Sequence, residues 1–338
     1  MPLLAGLLAA CAGTGTGGPP GFSADTARWD GLARGATASE AACRALPDAI
    51  WARAGQQRAC LRFAVAGADR PVRTAVVFIA GDPPAAYGFA GGRSSLHRDH
   101  PAEPTPLATR LRQAEASRAD ALEAPTILLA RPGMDGSSGH HADDRHSLGE
   151  LMLMDDALSQ LSERFGLRGI VLSGFSSGGT IVANLLARRS DIRCAVLDSA
   201  PLDLAGFYRG WDGVPDESFV TRHRMADPMR SVATLRSSAM VWVIGDPRDR
   251  RVAPALWHRW AVAARGRGVT VLEETIAPPP GEAAWSGRDT FHADTGRAAR
   301  IAGACARDAD HAFAGATGPS RRLGPFQGLP GTFQSAGT

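Results

Sequence analysis

The sequence of 338 residues contains no lysine, so all 37 of its basic residues are arginine. These arginines are scattered among 34 acidic residues, and no basic stripe typical of a nucleic-acid-binding surface stands out. We therefore attribute the missing lysine to composition bias rather than to function. No apolar run has the length of a membrane-spanning helix, and no Cys-x-x-Cys pair indicates a zinc site. Hydrophobic residues make up 44% of the chain, which is enough for a packed core.

The N-terminal segment is apolar, ends in Leu8-Ala9-Ala10-Cys11 and is followed by small residues through Pro20. This pattern is similar to the lipobox of bacterial lipoproteins, where a signal peptidase cleaves before the cysteine and the thiol then carries lipid. The basic start of a signal peptide is missing, so an apolar stub without this role is the alternative. From the pattern we expect a signal segment over residues 1–18, lipidation at Cys11, and an exported protein that is periplasmic or anchored to a bacterial membrane.

The four other cysteines are consistent with export. Cys43 and Cys60 flank one short helical segment and are candidates for a disulfide in an oxidising compartment. Cys194 lies in an apolar strand and Cys305 in an alanine-rich helix, so we interpret each as a small buried residue.

Strand-like and helix-like segments alternate from Leu61 onward. This alternation predicts an α/β fold over residues 61–314, with a mostly parallel sheet covered by helices on both faces. Residues 19–60 are rich in alanine and predict a helical extension. Residues 205–230 interrupt the alternation and are a candidate cap, whereas the composition of residues 315–338 is typical of disorder. The predicted strands are 61–65, 74–80, 126–130, 169–172, 193–197, 240–244 and 270–275.

Residues 174–178, Gly-Phe-Ser-Ser-Gly, fit the motif G-x-S-x-G between a predicted strand and a predicted helix. Small residues on either side of the serine let the chain double back, and the strained turn lifts the hydroxyl above the sheet edge. The first N–H groups of the helix point to the same place, which suits a developing oxyanion. A frame centred on Ser177 would put Phe175 at a glycine position, so Ser176 is the better candidate nucleophile. An ordinary tight turn is the alternative.

A serine nucleophile needs a base within hydrogen-bond reach, and the base needs an orienting acid. Asp249 lies in the loop after the predicted strand 240–244, where an orienting carboxylate belongs. His292 lies between the last predicted strand and the last helix, in a loop that can swing over the sheet edge. The alternatives are Asp246 as a cap of the turn, Asp198 as the acid, His311 beyond the last helix as the base, and His258 as a surface residue.

These features together resemble the α/β-hydrolase family. The resemblance covers residues 61–313 and includes His292 before a final helix. It rests further on the G-x-S-x-G turn, on residues 245–252 (Gly-Asp-Pro-Arg-Asp-Arg-Arg-Val), and on residues 131–137 (Arg-Pro-Gly-Met-Asp-Gly-Ser), which are similar to a loop common after a central strand. The Asp-x-x-Val spacing especially resembles prolyl-oligopeptidase-like and dienelactone-hydrolase-like members. The resemblance implies an eight-stranded, mostly parallel sheet, a triad of Ser176, Asp249 and His292, and no cofactor.

The oxyanion hole departs from the family pattern, because the strand 74–80 runs into Gly81-Asp82-Pro83 without the His-Gly that members often carry. We expect one donor to be the backbone N–H of Ser177. Pro83 has no N–H, so Asp82 is the candidate for the second donor, with Gly81 as the alternative. A carboxylate at this place would repel an oxyanion unless its side chain points away.

Residues 140–146 (His-His-Ala-Asp-Asp-Arg-His) contain the residue types of a metal site, but they lead into a predicted helix. Asp143 and Asp144 suit the approach to a helix N-terminus. A loop beside the substrate and a solvated loop are both favoured over a metal site, and metal is equally disfavoured at residues 97–100.

The leading hypothesis is a serine hydrolase that cleaves a small carboxylic ester through an acyl-enzyme. A serine peptidase acting on short peptides is the runner-up, and an acyltransferase with the same triad is a further alternative. A non-catalytic envelope lipoprotein that binds a ligand is the alternative from another class. The distance between Ser176 and His292 distinguishes the catalytic hypotheses from the binding hypothesis.

Overall fold

A computed structural model describes residues 35–67, 73–82, 87–90, 93–96, 125–209, 220, 224–276, 292 and 297–314. Its strands are β1 (Ala49–Ala54), β2 (Gln57–Ala66), β3 (Thr74–Ile79), β4 (Tyr87–Ala90), β5 (Arg93–Leu96), β6 (Thr126–Leu129), β7 (Gly169–Phe175), β8 (Ile192–Asp198), β9 (Met240–Gly245) and β10 (Val271–Thr275). Its helices are α1 (Glu40–Arg44), α2 (His141–Asp144), α3 (Leu148–Phe165), α4 (Ser177–Leu185), α5 (Leu204–Tyr208), α6 (Pro228–Ser231), α7 (Pro254–Gly266) and α8 (Arg297–Ala314).

The described strands form an eight-stranded sheet in the order β1-β2-β6-β3-β7-β8-β9-β10, beside a separate β4–β5 hairpin. Strand β2 is antiparallel to both of its neighbours, and every other pairing in the large sheet is parallel. The central strands are nearly continuous apolar runs, which is typical of parallel strands buried on both faces. The predicted α/β fold with a mostly parallel sheet is confirmed, and all seven predicted strands are present.

Helices cover both faces of this sheet. Successive residues of a strand point to opposite faces. In β3, Ala75 and Val77 belong to the larger core with α3, α4 and α7, whereas Val76 belongs to a second core with Ile301 and Ala302 of α8. The predicted covering on both faces is therefore confirmed.

The parallel register brings several strand ends to one edge of the sheet. Ile79 of β3 pairs with Gly174 of β7, and Asp198 of β8 pairs with both Phe175 of β7 and Ile244 of β9. The loops that follow these strands therefore begin side by side, at the carboxyl edge where parallel sheets bind their ligands.

The predicted helical extension over residues 19–60 is wrong in its last part. Within the described residues of this segment only α1 is helical, and residues 49–54 and 57–60 belong to the sheet as β1 and the start of β2. The two strands pair from Ala49 opposite Arg62 to Ala54 opposite Gln57, and Gly55 adopts a φ of 59° in the tight turn between them. Alanine favours helices and is depleted in strands, so the composition of this segment indicates a helix, and the pairing of the two strands overrides that propensity.

Two disulfides connect helices to the sheet. Cys43 of α1 is bonded to Cys60 of β2, with the sulfurs 2.01 Å apart, in the pairing that the sequence predicts. Cys194 of β8 is bonded to Cys305 of α8 across a sequence separation of 111 residues. The prediction that Cys194 and Cys305 are two separate buried residues is therefore wrong. Nothing in the sequence indicates that α8 packs on β8 and brings the two thiols together.

Strand β10 lies at one end of the sheet that the described residues form, and it has a charged residue on each face. Glu273 pairs with Arg265 and His258 of α7, and Glu274 pairs with Arg297 of α8. The edge strand is thus tied by ion pairs to a helix on either side of the sheet.

Several predicted features lie outside the described residues. They are the signal segment 1–18 with Cys11, the residues 97–100, the tail 315–338 and half of the candidate cap 205–230, of which 205–209, 220 and 224–230 are described. Among the described helices, none combines the length and the hydropathy needed to cross a membrane.

Candidate active site

Ser176 occupies a sharp turn between β7 and α4. Its backbone has φ 51° and ψ −125°, a conformation that side-chain-bearing residues rarely adopt. The flanking glycines are required by close contact: a Cβ at Gly178 would lie 2.1 Å from the carbonyl oxygen of Ile79, and one at Gly174 would lie 2.6 Å from the backbone of Gly178. The turn is therefore a strand-to-helix elbow of the kind that presents a serine hydroxyl at the sheet edge.

The structure brings the three predicted triad side chains together. His292 Nε2 lies 2.9 Å from Ser176 Oγ, and His292 Nδ1 lies 2.7 Å from Asp249 Oδ2. The His292 ring also packs against Phe175, with ring centroids 5.1 Å apart. These contacts form a continuous hydrogen-bonded line from a carboxylate through an imidazole to a hydroxyl.

Asp249 is held by its own loop. Its Oδ1 accepts hydrogen bonds from the backbone N–H groups of Arg251 and Val252, at 2.8 and 2.9 Å, and only 4% of the residue is exposed. One carboxylate oxygen thus fixes the loop, and the other remains for His292. The Asp-x-x-Val spacing of the sequence corresponds to the hydrogen bond from Val252.

The alternative acids and bases have other partners. Asp246 caps its turn by accepting from the backbone N–H of Arg248 and forms an ion pair with the same residue; burial raises the pKa of Asp246, but these bonds outweigh it and lower the pKa. His258 is on the surface of α7, where it pairs with Glu273. His311 lies within α8 and not beyond the last helix as predicted, and its side chain is outside the described part of the chain.

Asp198 lies closer to the elbow than these groups do. Its backbone carbonyl oxygen accepts from the N–H of Ser176 at 2.8 Å, and its carboxylate accepts from Ser199 Oγ at 3.1 Å. It therefore helps to hold the elbow.

The two predicted oxyanion donors belong to two segments that meet at Ser176. Ser177 is the first residue of α4, where backbone N–H groups have no partner within the helix. The chain after β3 runs directly against the elbow, because a Cβ at Gly81 would lie 2.9 Å from Ser176 Cβ. Asp82 follows Gly81 at this contact.

The carboxylate of Asp82 is bound by a cluster of donors. Arg131, Arg145, His141 and the Ser177 hydroxyl all form hydrogen bonds to it. Burial raises the pKa of Asp82, but the charge of Arg145, the hydrogen bond to His141 and the charge of Arg131 together hold it well below its ordinary value. Asp82 is therefore ionised, with its charge compensated by the two guanidinium groups.

Residues 140–146 contribute to this buried polar network, which contradicts the solvated-loop interpretation for three of them. His141, Arg145 and His146 are exposed by 1, 8 and 2%, whereas Asp143 stays exposed. Glu150, at the start of α3, belongs to the same network and forms an ion pair with Arg131 at 2.8 Å. Sequence reasoning missed Arg131, Glu150 and Tyr208 as members. Only Glu150 had a local signal in the sequence: it lies three residues after Ser147, in the spacing of a helix-capping box, and its N–H donates to the Ser147 hydroxyl at the start of α3.

His146 should make the stability of the protein sensitive to mild acid. Burial lowers its pKa well below the ordinary 6.5, and Arg145 lowers it further. As the pH falls below about 6.5 the unfolded chain binds a proton at this position while the folded protein does not, so stability decreases. We expect His146→Asn to remove about 1–2 kcal/mol of the loss between pH 6.5 and 5.0, measured by urea unfolding.

Asparagine is a suitable replacement because it tolerates the φ of 59° at this position and can accept the hydrogen bond of the Tyr208 hydroxyl, 3.0 Å from His146 Nδ1. His258→Asn, on the surface of α7, is the matched control. Equal pH dependence of His146→Asn and wild type would show that His146 does not cause the loss.

A family model supports the fold assigned from the geometry, and several solved structures are similar to the chain. Residues 107–243 match a family model described as alpha/beta hydrolase fold. Similar solved structures include Est1E from Butyrivibrio proteoclasticus, with 13% identity, a TM-score of 0.49, and coverage of 79% of this chain and 99% of that chain. No match was found among the curated proteins.

Two peptidase structures are also similar. The Pyrococcus horikoshii acylaminoacyl peptidase has 12% identity and a TM-score of 0.46, and the match covers 83% of this chain and 42% of that chain. Prolyl oligopeptidase B from Galerina marginata has 14% identity and a TM-score of 0.49, and the match covers 77% of this chain and 36% of that chain. The chain thus spans less than half the length of either peptidase. Together, the family match and the sheet order establish that this chain has the α/β-hydrolase fold.

Proposed function

We propose that the protein is a serine hydrolase that cleaves small carboxylic esters through an acyl-enzyme. The observation that carries this proposal is the hydrogen-bonded line from Asp249 through His292 to Ser176, on an elbow that holds the serine at the carboxyl edge of the sheet. The contact between His292 and Ser176 also argues against a protein that uses this fold only to bind a ligand.

The first half of the reaction forms the acyl-enzyme. His292 Nε2 takes the proton of Ser176 Oγ as that oxygen attacks the ester carbonyl carbon. Asp249 holds the other ring nitrogen and stabilises the imidazolium that results. The backbone N–H groups of Ser177 and Asp82 receive the oxyanion of the tetrahedral intermediate. Collapse of this intermediate completes the acyl-enzyme: the bond between the carbonyl carbon and the alkoxy oxygen breaks while His292 gives its proton to that oxygen, which leaves as an alcohol.

The second half releases the acid. Water then attacks the acyl carbon while His292 acts again as the base, and the collapse of the second tetrahedral intermediate restores Ser176. We favour an ester over a peptide because an alkoxide leaves more readily than an amide nitrogen, so an ester needs least from the site.

We also propose that the protein is exported. The two disulfides of the described residues support this, because disulfides persist in oxidising compartments and are rare in the cytosol. Lipidation of Cys11 remains a prediction from the sequence.

Labelling with a fluorophosphonate tests the proposed reaction. The reagent phosphonylates serines that a neighbouring base activates, so wild-type protein should be labelled at Ser176 and the variants Ser176→Ala and His292→Ala should not. Ser173→Ala is the matched control, since it removes a buried hydroxyl from the same strand β7, and it should be labelled like wild type.

The label should be located by mass spectrometry on protein whose folding has been checked by circular dichroism. Absence of labelling in folded wild type, or labelling that persists in Ser176→Ala, would refute the proposed nucleophile.

A further inference from the structure

Arg131 connects four segments at the carboxyl edge of the sheet. It follows β6, and its side chain is 0% exposed. Its Nε donates to Glu150 Oε1 of α3 at 2.8 Å, while its Nη1 donates to Asp82 Oδ1 after β3 at 2.9 Å and to Ser177 Oγ of α4 at 2.5 Å. One guanidinium therefore joins the ends of β3 and β6 to the starts of α3 and α4.

The two residues bound by Nη1 are also bound to each other. The hydroxyl of Ser177 donates to Asp82 Oδ1 at 2.5 Å, which closes a triangle of hydrogen bonds with Arg131. These are the residues whose backbone N–H groups are the proposed donors of the oxyanion hole. Their side chains thus face the buried network, while Ser177 directly follows Ser176 and Asp82 directly follows Gly81, which runs against Ser176.

From this arrangement we propose that Arg131 is a positioning residue of the oxyanion hole, which holds the backbones of Ser177 and Asp82 at a fixed separation through their side chains. The inference rests on the proposed function. The Asp82 carboxylate then has two roles: it compensates the charge of the buried Arg131 guanidinium, and it anchors the loop after β3 to Arg131.

The rest of the network makes this attachment rigid. Asp82 receives a second guanidinium from Arg145, and Glu150 uses its other oxygen to accept from the backbone N–H of His146 at 2.7 Å. Two carboxylates and two guanidinium groups thus balance each other inside the fold, which is the condition under which buried charges are tolerated. Donors that are fixed before the reaction stabilise an oxyanion most effectively, and a displacement of about 1 Å can reduce the rate by about 100-fold.

The test measures kcat for p-nitrophenyl acetate per titrated active site, in the full chain. Ser177→Ala removes one corner of the triangle but leaves both ion pairs of Arg131 in place, so it should fold. Arg131→Lys keeps the charge, but an ammonium group lacks the planar fork that reaches Glu150, Asp82 and Ser177 together. Thr180→Val is the matched control, because it removes a buried hydroxyl from the same helix, where Thr180 Oγ1 donates to the carbonyl oxygen of Pro201.

We expect kcat to fall by about 10-fold in Ser177→Ala and about 100-fold in Arg131→Lys, with KM changed by less than about threefold, because the contact acts only on the oxyanion. The dissociation constant of a trifluoromethyl ketone, whose serine adduct carries an oxyanion, should rise by the same factors. Thr180→Val should stay within about threefold of wild type in both quantities.

Equal kcat per titrated site in Ser177→Ala, Arg131→Lys and Thr180→Val would overturn the inference, since a purely structural role lowers the number of active sites and not the rate of each. Wild-type protein that hydrolyses no ester and is not labelled at Ser176 would instead overturn the proposed function, and this inference with it.

Discussion

Replacement of Asp249 by asparagine should lower kcat/KM for a p-nitrophenyl ester by about 10⁴-fold. The asparagine oxygen can still accept from the N–H groups of Arg251 and Val252, so the loop keeps its shape. Its amide group then faces His292 Nδ1 in place of Oδ2 and donates to it. The ring proton is thereby forced onto Nε2, which can no longer accept the proton of Ser176.

Two matched variants separate this effect from a general loss of charge. Asp246→Asn changes the same loop at a residue that pairs with the half-exposed Arg248, and it should stay within about threefold of wild type. Asp198→Asn tests the alternative acid beside the elbow. A large loss in Asp198→Asn together with a small loss in Asp249→Asn would reassign the acid of the triad.

Removal of the disulfide between Cys194 and Cys305 should cost about 4–5 kcal/mol of unfolding free energy, because it closes a loop of more than 100 residues. Removal of the disulfide between Cys43 and Cys60, with a separation of 17 residues, should cost about 3 kcal/mol. The measurement is guanidinium unfolding of the double variants Cys194→Ala/Cys305→Ala and Cys43→Ala/Cys60→Ala, compared with wild type under non-reducing conditions.

Reduced wild type provides the control for these variants, since it should lose the sum of both contributions without any change of sequence. The longer disulfide also ties down α8, which begins shortly after His292, so its loss should lower the temperature at which activity disappears. Equal stability of both double variants would contradict the loop-length argument and indicate strain or residual structure in the unfolded chain.

The parts of the fold that could be predicted are those determined by the order of apolar, polar and glycine residues within a short stretch of sequence. The central strands are apolar runs bounded by turn residues, and Gly174 and Gly178 mark a turn that other residues would block. Asp249 and His292 could be assigned because each follows a strand, and parallel strands deliver their ends to the same edge.

The remaining features depend on tertiary contacts that no local window contains. Strand β1 is rich in alanine, which favours helices, so only its pairing with β2 identifies it as a strand. The bond between Cys194 and Cys305 requires α8 to pack on β8. A solvated loop is one prediction for residues 140–146, because they are mostly charged or polar. His141 and Arg145 are instead buried against Asp82, which lies about 60 residues earlier in the chain.

The ion pairs of β10 have a consequence for how this protein behaves at high concentration. An edge strand with unpaired backbone groups can recruit a strand from another molecule and start aggregation. Here Glu273 and Glu274 place a carboxylate on each face of that strand, and α7 and α8 anchor both carboxylates. An incoming strand would have to pack beside charges on both faces, so this edge is protected against intermolecular sheet growth while the chain is folded.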